Sequence, residues 1–248
     1  MKKTSAKKPT VVSPQKWLTA RRSLLRQEKK FSRLRTQLTQ QRQALPWVKV
    51  EKNYVFSTPN GSKTLAELFA GRSQLIVYHF MFGPGWDEGC MGCSFVSDHF
   101  DGALAHLGAR DVTLTAVSIA PLKEFSAFKQ RMGWKFPWVS SHGTSFNHDF
   151  GVTFTPEEIA SGSVNYNYAP REIRMEELPG LSVFARDRAG NIYHTYSTYS
   201  RGLEALIGTY SLLDLVPKGR DEEGLKRSMQ WVRHHDRYQS APGKRRSA

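Results

Sequence analysis

The alternation of apolar and polar positions divides the chain into elements. Trp17, Leu24, Phe31 and Leu38 recur every seven residues, and Leu18, Leu25 and Leu34 widen the stripe. That spacing predicts an amphipathic helix. Ser13 and Pro14 supply its cap and first residue, and Pro46 lies beyond its end. A short strand follows within residues 49–57, Val48-Lys49-Val50 with Tyr54-Val55-Phe56, then a turn at Asn60-Gly61 and a brief helix from Thr64 to Phe69 closed by Gly71. Residues 75–82 read Leu-Ile-Val-Tyr-His-Phe-Met-Phe, apolar almost without interruption. This is the pattern of a central strand covered on both faces.

A glycine-rich turn then leads into a helix over 90–107, with Phe95, Phe100, Ala103, Leu104 and Leu107 inward. Val112 to Ile119 forms a second strand, so the unit is a βαβ with a parallel pair. A helix over 121–132 buries Leu122, Phe125, Phe128 and Met132 and ends at Gly133; Phe136 to Val139 reads as a short strand or edge segment. Residues 141–180 keep no period. They read as an irregular insertion with one helical turn near Pro156 and with aromatics (Phe146, Phe150, Phe154, Tyr166, Tyr168) that favour an ordered cover. A hairpin, Leu181 to Arg186 and Ile192 to Tyr196, and a helix over 201–213 follow; Met229 to Tyr238 reads as a short helix or surface strap. The element order predicts an α/β fold: a thioredoxin-like mixed sheet with flanking helices, an N-terminal helical extension and an irregular insertion. The expected division is a basic tail and helix over 1–45, a thioredoxin-like domain over 46–240 with the insertion at about 141–180, and a basic tail over 241–248.

Charge sharpens this division. Residues 1–50 hold 14 Lys/Arg against Glu28 alone, a net of +13, while the whole chain carries +14. The basicity belongs to the N-terminal segment, which argues against a core that binds nucleic acid. The same segment could pair with a second copy of the chain as a homodimer. No run reaches the about 18 apolar residues of a membrane span. No apolar stretch follows the basic start, so export is not indicated and a cytoplasmic location is expected.

The chain has two cysteines, Cys90 and Cys93, placed where the strand and turn meet a helix. A thiol at a helix start faces unpaired backbone N–H groups that favour its thiolate. Cys90 is therefore the expected nucleophile and Cys93, one turn on, the resolving thiol. Trp86, Asp87, Glu88 and His79 are candidate lining residues, with the two carboxylates expected to oppose the thiolate if they face it. His99, His142, His148, Asp149, His194, Tyr196 and Tyr199 read as scaffold. Two sulfurs without a spaced His or Cys cluster do not predict a metal site. No phosphate-binding glycine loop, dinucleotide fingerprint or nucleophile elbow is present, so no cofactor is expected.

These residues resemble an uncharacterised bacterial family of thioredoxin-like proteins labelled predicted dithiol-disulfide oxidoreductases. The resemblance rests on Tyr78-His79-Phe80-Met81-Phe82-Gly83-Pro84, Glu88-Gly89-Cys90 and Cys93-Ser94-Phe95. It continues through Arg131-Met132-Gly133-Trp134, Asp149-Phe150-Gly151-Val152, Pro179-Gly180-Leu181, and Trp231-Val232-Arg233 to His235-Asp236-Arg237-Tyr238. It spans roughly residues 15–240 and implies thiol redox chemistry with a thiol or disulfide substrate. The Met91-Gly92 pair departs from the Gly-Pro pair of ordinary thioredoxins. By analogy with that fold, Pro179 occupies the place of a cis proline beside the dithiol. The expected activity is thiol–disulfide exchange; the alternatives are a thiol-dependent peroxidase of the same fold and a non-catalytic binding or structural protein.

Overall fold

The structure is a computed structural model describing residues 9–240. Residues 1–8 and the basic tail expected over 241–248 lie outside the described residues. Helix α1 spans Pro14–Gln43, capped by the Ser13 hydroxyl, which accepts from the Lys16 amide. None of its residues is buried, and the stripe from Trp17 to Leu38 is exposed. Residues 9–46 form one compact unit with Glu223–Leu225; Trp47–Glu222 and residues 226–240 form another.

In the larger unit β1 is Val48–Lys49, β2 Val55–Thr58, β3 Gly61–Thr64, α2 Leu65–Leu68 and β4 Gln74–His79. Then come α3 (Met91–Ser97), α4 (Leu104–Ala109), β5 (Val112–Ser118), α5 (Leu122–Arg131), β6 (Trp138–Ser140) and α6 (Phe146–Asp149). The chain continues with α7 (Pro156–Ala160), β7 (Val164–Tyr166), β8 (Ala169–Arg171), β9 (Gly180–Arg186), β10 (Ile192–Tyr199) and α8 (Gly208–Leu213). Eight strands form one sheet in the order β1-β10-β9-β4-β5-β6-β2-β3, and β7-β8 is a separate hairpin. Strands β4, β5 and β6 run parallel, and the remaining pairs are antiparallel. This is the thioredoxin-like α/β architecture expected from the element order.

Strand β4 explains the arrangement. Leu75 and Val77 enter one core with Phe56, Leu68, Phe146 and Phe184. Tyr78 and the half-buried Ile76 enter the other with Phe95, Phe125, Phe128 and Trp138. Each aliphatic side chain fully buried this way is worth ~1.5–3 kcal/mol, so both sheet faces must be covered. The ring of Phe125 stacks on Trp138 at 4.6 Å and joins α5 to β6.

Several elements differ from expectation. The pieces around 49–57 are two strands, not one: β1 pairs with β10 and β2 with β3 and β6. Strand β6 is interior rather than an edge, since β2 pairs beyond it. Strand β4 ends at His79, although Phe80 still donates to the Val117 carbonyl and Phe82 accepts from Ala120. The predicted helix over 90–107 breaks after Ser97. There the His99 ring takes the Phe95 carbonyl at 2.9 Å, Asp98 accepts from Trp134 Nε1, and Asp101 accepts the amides of Lys135 and Phe136. The partners of Asp98 and Asp101, far along the chain, hold the backbone in a tighter turn. The predicted 201–213 helix is a 3₁₀ stretch, Ser200–Leu206, followed by α8.

The region 141–180 is ordered. Phe146 and Phe150 pack into the β4 core, while Val152, Phe154, Val164 and Tyr166 gather around Tyr199. Within it Glu177 is 4% exposed, and the Thr153 hydroxyl donates to it. Loss of solvation on burial raises its pKa to about 8 despite that hydrogen bond. The folded chain keeps this proton up to about pH 8, whereas the unfolded chain releases it near 4.5. Stability conferred by the protonated carboxyl is therefore full below pH 4.5 and declines as pH rises to 8, by at most about 1.4 kcal/mol per pH unit. Glu177→Gln is expected to raise the melting temperature at pH 8 and leave it nearly unchanged at pH 4.5; thermal melts across this range, with a gap that widens with pH, check this.

Candidate functional site

The site forms where the chain leaves β4. After Phe82 it turns at Gly83, whose carbonyl accepts from the Trp86 amide, and Gly85 donates to Glu124 at 2.8 Å. Gly89 then passes between two rings; a Cβ there would lie 2.7 Å from Phe80 and 2.8 Å from Phe128, so only glycine fits. This approach places Cys90 at the N-cap of α3. The Cys90 amide donates to the Met81 carbonyl at 3.2 Å, and the Met81 amide donates to Cys93 Sγ at 3.4 Å. One residue of the strand's continuation thus holds both cysteines.

Both cysteines are free, Cys90 half-buried and Cys93 buried. The Cys90 thiol is pulled down to about 6, chiefly by the Cys93 thiol donating to it. Burial opposes the shift, and the amides of Cys93 and Gly92 add to it. Cys93 moves the other way, pushed well above the ordinary thiol range by burial and then by its hydrogen bond to Cys90. The pair at neutral pH is a Cys90 thiolate accepting from a Cys93 thiol.

Cys90 faces a pocket of about 240 Å³. Tyr78, Gly92, Cys93, Val96, Pro179, Ser200, Arg201, Leu203, Glu204, Ile207, Ser228 and Met229 line it beside Cys90. No residue from 141–178 lines it. The insertion reaches it through Tyr166, whose hydroxyl donates to the Pro179 carbonyl at 2.7 Å and accepts from the Ser200 amide.

The other candidates separate. Glu88 does not face the thiolate as a free charge: it accepts from Arg131 and Arg237. Desolvation alone would raise its pKa, but those two guanidinium groups lower it. Asp87 is exposed. Trp86 packs across Gly83 and lies 6.5 Å from the Phe82 ring, outside the pocket lining. His79 is buried on the sheet face opposite Tyr78, bonded to Ser182 at 2.9 Å. Ser182 continues to Ser197 and Ser197 to His194, a polar track across β4, β9 and β10. Burial lowers His79 to about 3. Pro179 lines the pocket, and among the described residues no peptide bond is cis.

The remaining polar candidates bond elsewhere: His99 to Thr209, His142 to the Ile119 carbonyl, His148 to Glu158, and Asp149 to Lys52 and Tyr54. Among the described residues no group of three or more His, Cys, Asp or Glu could hold a metal ion, and no helix is long and apolar enough to cross a membrane.

Met229 to Tyr238 reads as a short helix or surface strap, but sequence reasoning missed that it meets the site. His234, 3% exposed, donates from Nε2 to the Gly89 carbonyl at 3.0 Å while its Nδ1 accepts from Arg131 at 2.8 Å. Arg131 also meets Asp236. Met229 closes the pocket beside Gly92. The run of Trp231 to Tyr238 among Arg and His was the available signal, but its target was not. Tyr78 was missed as well; strand alternation places it on the cysteine face because His79 takes the other.

In sequence the chain matches the family described as bacterial protein of unknown function (DUF899) over residues 6–238. No curated protein matches it. Among solved structures it is similar to Peroxidoxin BcpB from Mycobacterium tuberculosis, at 12% identity and a TM-score of 0.43, covering 66% of this chain and 97% of that one. It is similar to a mutant of Peroxiredoxin Q from Xanthomonas campestris, at 14% identity and a TM-score of 0.43, covering 68% and 97%. A mutant of the Xylella fastidiosa counterpart matches at 12% identity and a TM-score of 0.42, covering 67% and 94%. The family match runs through nearly the whole sequence, and the chain belongs to this bacterial family, DUF899.

Proposed function

We propose that the protein is a thiol-based redox enzyme that carries out dithiol–disulfide exchange, with Cys90 as the nucleophile and Cys93 as the resolving thiol. The observation that carries this reading is the unequal pair: a half-buried thiol pulled to about 6 at the pocket and a buried thiol raised behind it. A thiolate is the nucleophile, and one that ionises near ambient pH combines abundance with reactivity. Cys90 attacks a substrate disulfide, forms a mixed disulfide and expels one thiolate. Cys93 then gives up its proton and attacks the Cys90 sulfur. The mixed disulfide breaks, the second substrate thiol leaves carrying that proton, and Cys90–Cys93 becomes the disulfide. The substrate gains two electrons and the dithiol loses two. A dithiol reductant returns the enzyme to its starting state, which suits a reducing compartment such as the cytoplasm.

The size of the pocket favours a second reading, reduction of a small peroxide. With about 240 Å³ beside Cys90 and Met229 at its rim, a small oxidant enters more readily than a folded protein's disulfide. Cys90 thiolate would take one peroxide oxygen and, with a proton from solvent, give a sulfenic acid and an alcohol or water; Cys93 would condense with it, releasing water and forming the same disulfide. Peroxide consumption set against disulfide consumption, each with a thiol donor, separates the two.

Cys90→Ser is expected to abolish turnover and any covalent intermediate, whereas Cys93→Ser traps the mixed disulfide on Cys90; intact-mass measurement after disulfide addition checks both. Normal turnover by the Cys90→Ser protein removes this reading. Alkylation of Cys90 is expected to follow a titration with a midpoint at about pH 6. Cys93→Ala takes away the largest cause of that low value, so the midpoint is expected to move up toward the ordinary thiol range. Iodoacetamide rates against pH measure this, and an unmoved midpoint excludes the Cys93 hydrogen bond as its cause.

A further inference from the structure

Tyr78 is fully buried, yet its hydroxyl makes no hydrogen bond of ordinary geometry. Burial leaves such an unpaired group at a cost in free energy. The hydroxyl stands beside the Cys93 sulfur, toward which the Met81 amide also points at 3.4 Å. Two donors therefore converge on one sulfur. A thiol is a weak acceptor and gains little from them. A thiolate is a charged acceptor, and hydrogen bonds to a charged group are about twice as strong as neutral ones. These two donors favour the ionised form of Cys93, against the burial that keeps it a thiol at rest.

We propose that Tyr78 is a catalytic residue of the resolving step, its O–H donating to the Cys93 thiolate as that sulfur attacks Cys90. This rests on the dithiol reading above. In that step the S–H proton of Cys93 passes to the departing substrate thiolate, the sulfur–sulfur bond to substrate breaks, and Cys90–Cys93 forms. Tyr78 keeps its proton throughout: burial first, and the neighbouring cysteines after it, hold the phenol well above its usual range, so it is a donor and not a base. The one carboxylate in the pocket wall, Glu204, is held by Arg201 at 2.9 Å and Arg220 at 3.2 Å. Tyr166, from the β7 hairpin, is the other phenol near Cys93, and its hydroxyl already serves Pro179 and Ser200. Tyr78 is the donor without another task.

The test uses the full-length reduced protein and a chromogenic aryl disulfide, dithiobis-nitrobenzoate, followed by stopped flow. Attack by Cys90 releases one coloured thiol, and attack by Cys93 releases the second. Tyr78→Phe is expected to slow the second release about ten- to a hundredfold, the worth of a hydrogen bond to a charged group. The loss is confined to that phase: the midpoint of the first release stays at about pH 6 and the melting temperature does not fall, because the hydroxyl removed was unpaired. A merely structural role would lower the melting temperature and disturb both phases together. Fluorotyrosine at position 78 keeps the shape and strengthens the donor, so it is expected to speed the second release; this variant also stands in should the Phe protein fail to fold. An unchanged second phase in either variant overturns the assignment of Tyr78 and leaves the dithiol reading intact. A wild-type chain that releases no second thiol, behaving like Cys93→Ser, overturns the dithiol reading itself.

Discussion

The peptide groups of Met81 hold the site together. Its carbonyl takes the Cys90 amide and its amide meets the Cys93 sulfur, so a strand end and a helix start are fastened at one residue. This requires the chain to leave the sheet ladder at His79 and still run alongside β5, which the Phe80 and Phe82 backbone bonds secure. It requires the turn from Gly83 to Gly89 to close within a short path, which the Gly89 passage between Phe80 and Phe128 allows. The sulfurs are then set by backbone geometry, the least adjustable part of the fold.

Much of the architecture was legible because it is local. The capped start of α1, the Thr64–Glu67 capping box, the doubly buried β4 and the parallel β5 each follow from a short stretch of sequence. The dithiol at the start of α3 was legible for the same reason. Features made by distant partners were not. Nothing in residues 98–101 announces that Asp98 and Asp101 will be claimed by Trp134, Lys135 and Phe136, so the helix break after Ser97 was hidden. The charge near Cys90 was misread similarly. Glu88 looked like an opponent of the thiolate because its two arginines lie 43 and 149 residues away along the chain.

The two faces of the sheet also divide the polar chemistry. Tyr78 accompanies the cysteines, and His79, one residue on, leads the serine track to His194 on the other side. A histidine on the strand leading to a dithiol invites a catalytic role, and strand alternation denies it that position. The ring is instead wedged beside Phe146 and Phe150, with its charge suppressed by burial. The wall of the pocket falls in the same way to the 3₁₀ stretch and to Met229, while the insertion between β6 and β9 meets it at one remove, through Tyr166 and the Pro179 carbonyl.

The strap has a consequence for the order in which the site is assembled. His234 meets the Gly89 carbonyl across 145 residues of intervening chain. A ribosome delivers β4, the turn and α3 long before it delivers that ring. Until then the Glu88 carboxylate has Arg131 but not Arg237, and the Gly89 carbonyl lacks its His234 ring. The backbone frame of the dithiol is thus encoded well ahead of the segment that brings Met229 to the pocket wall.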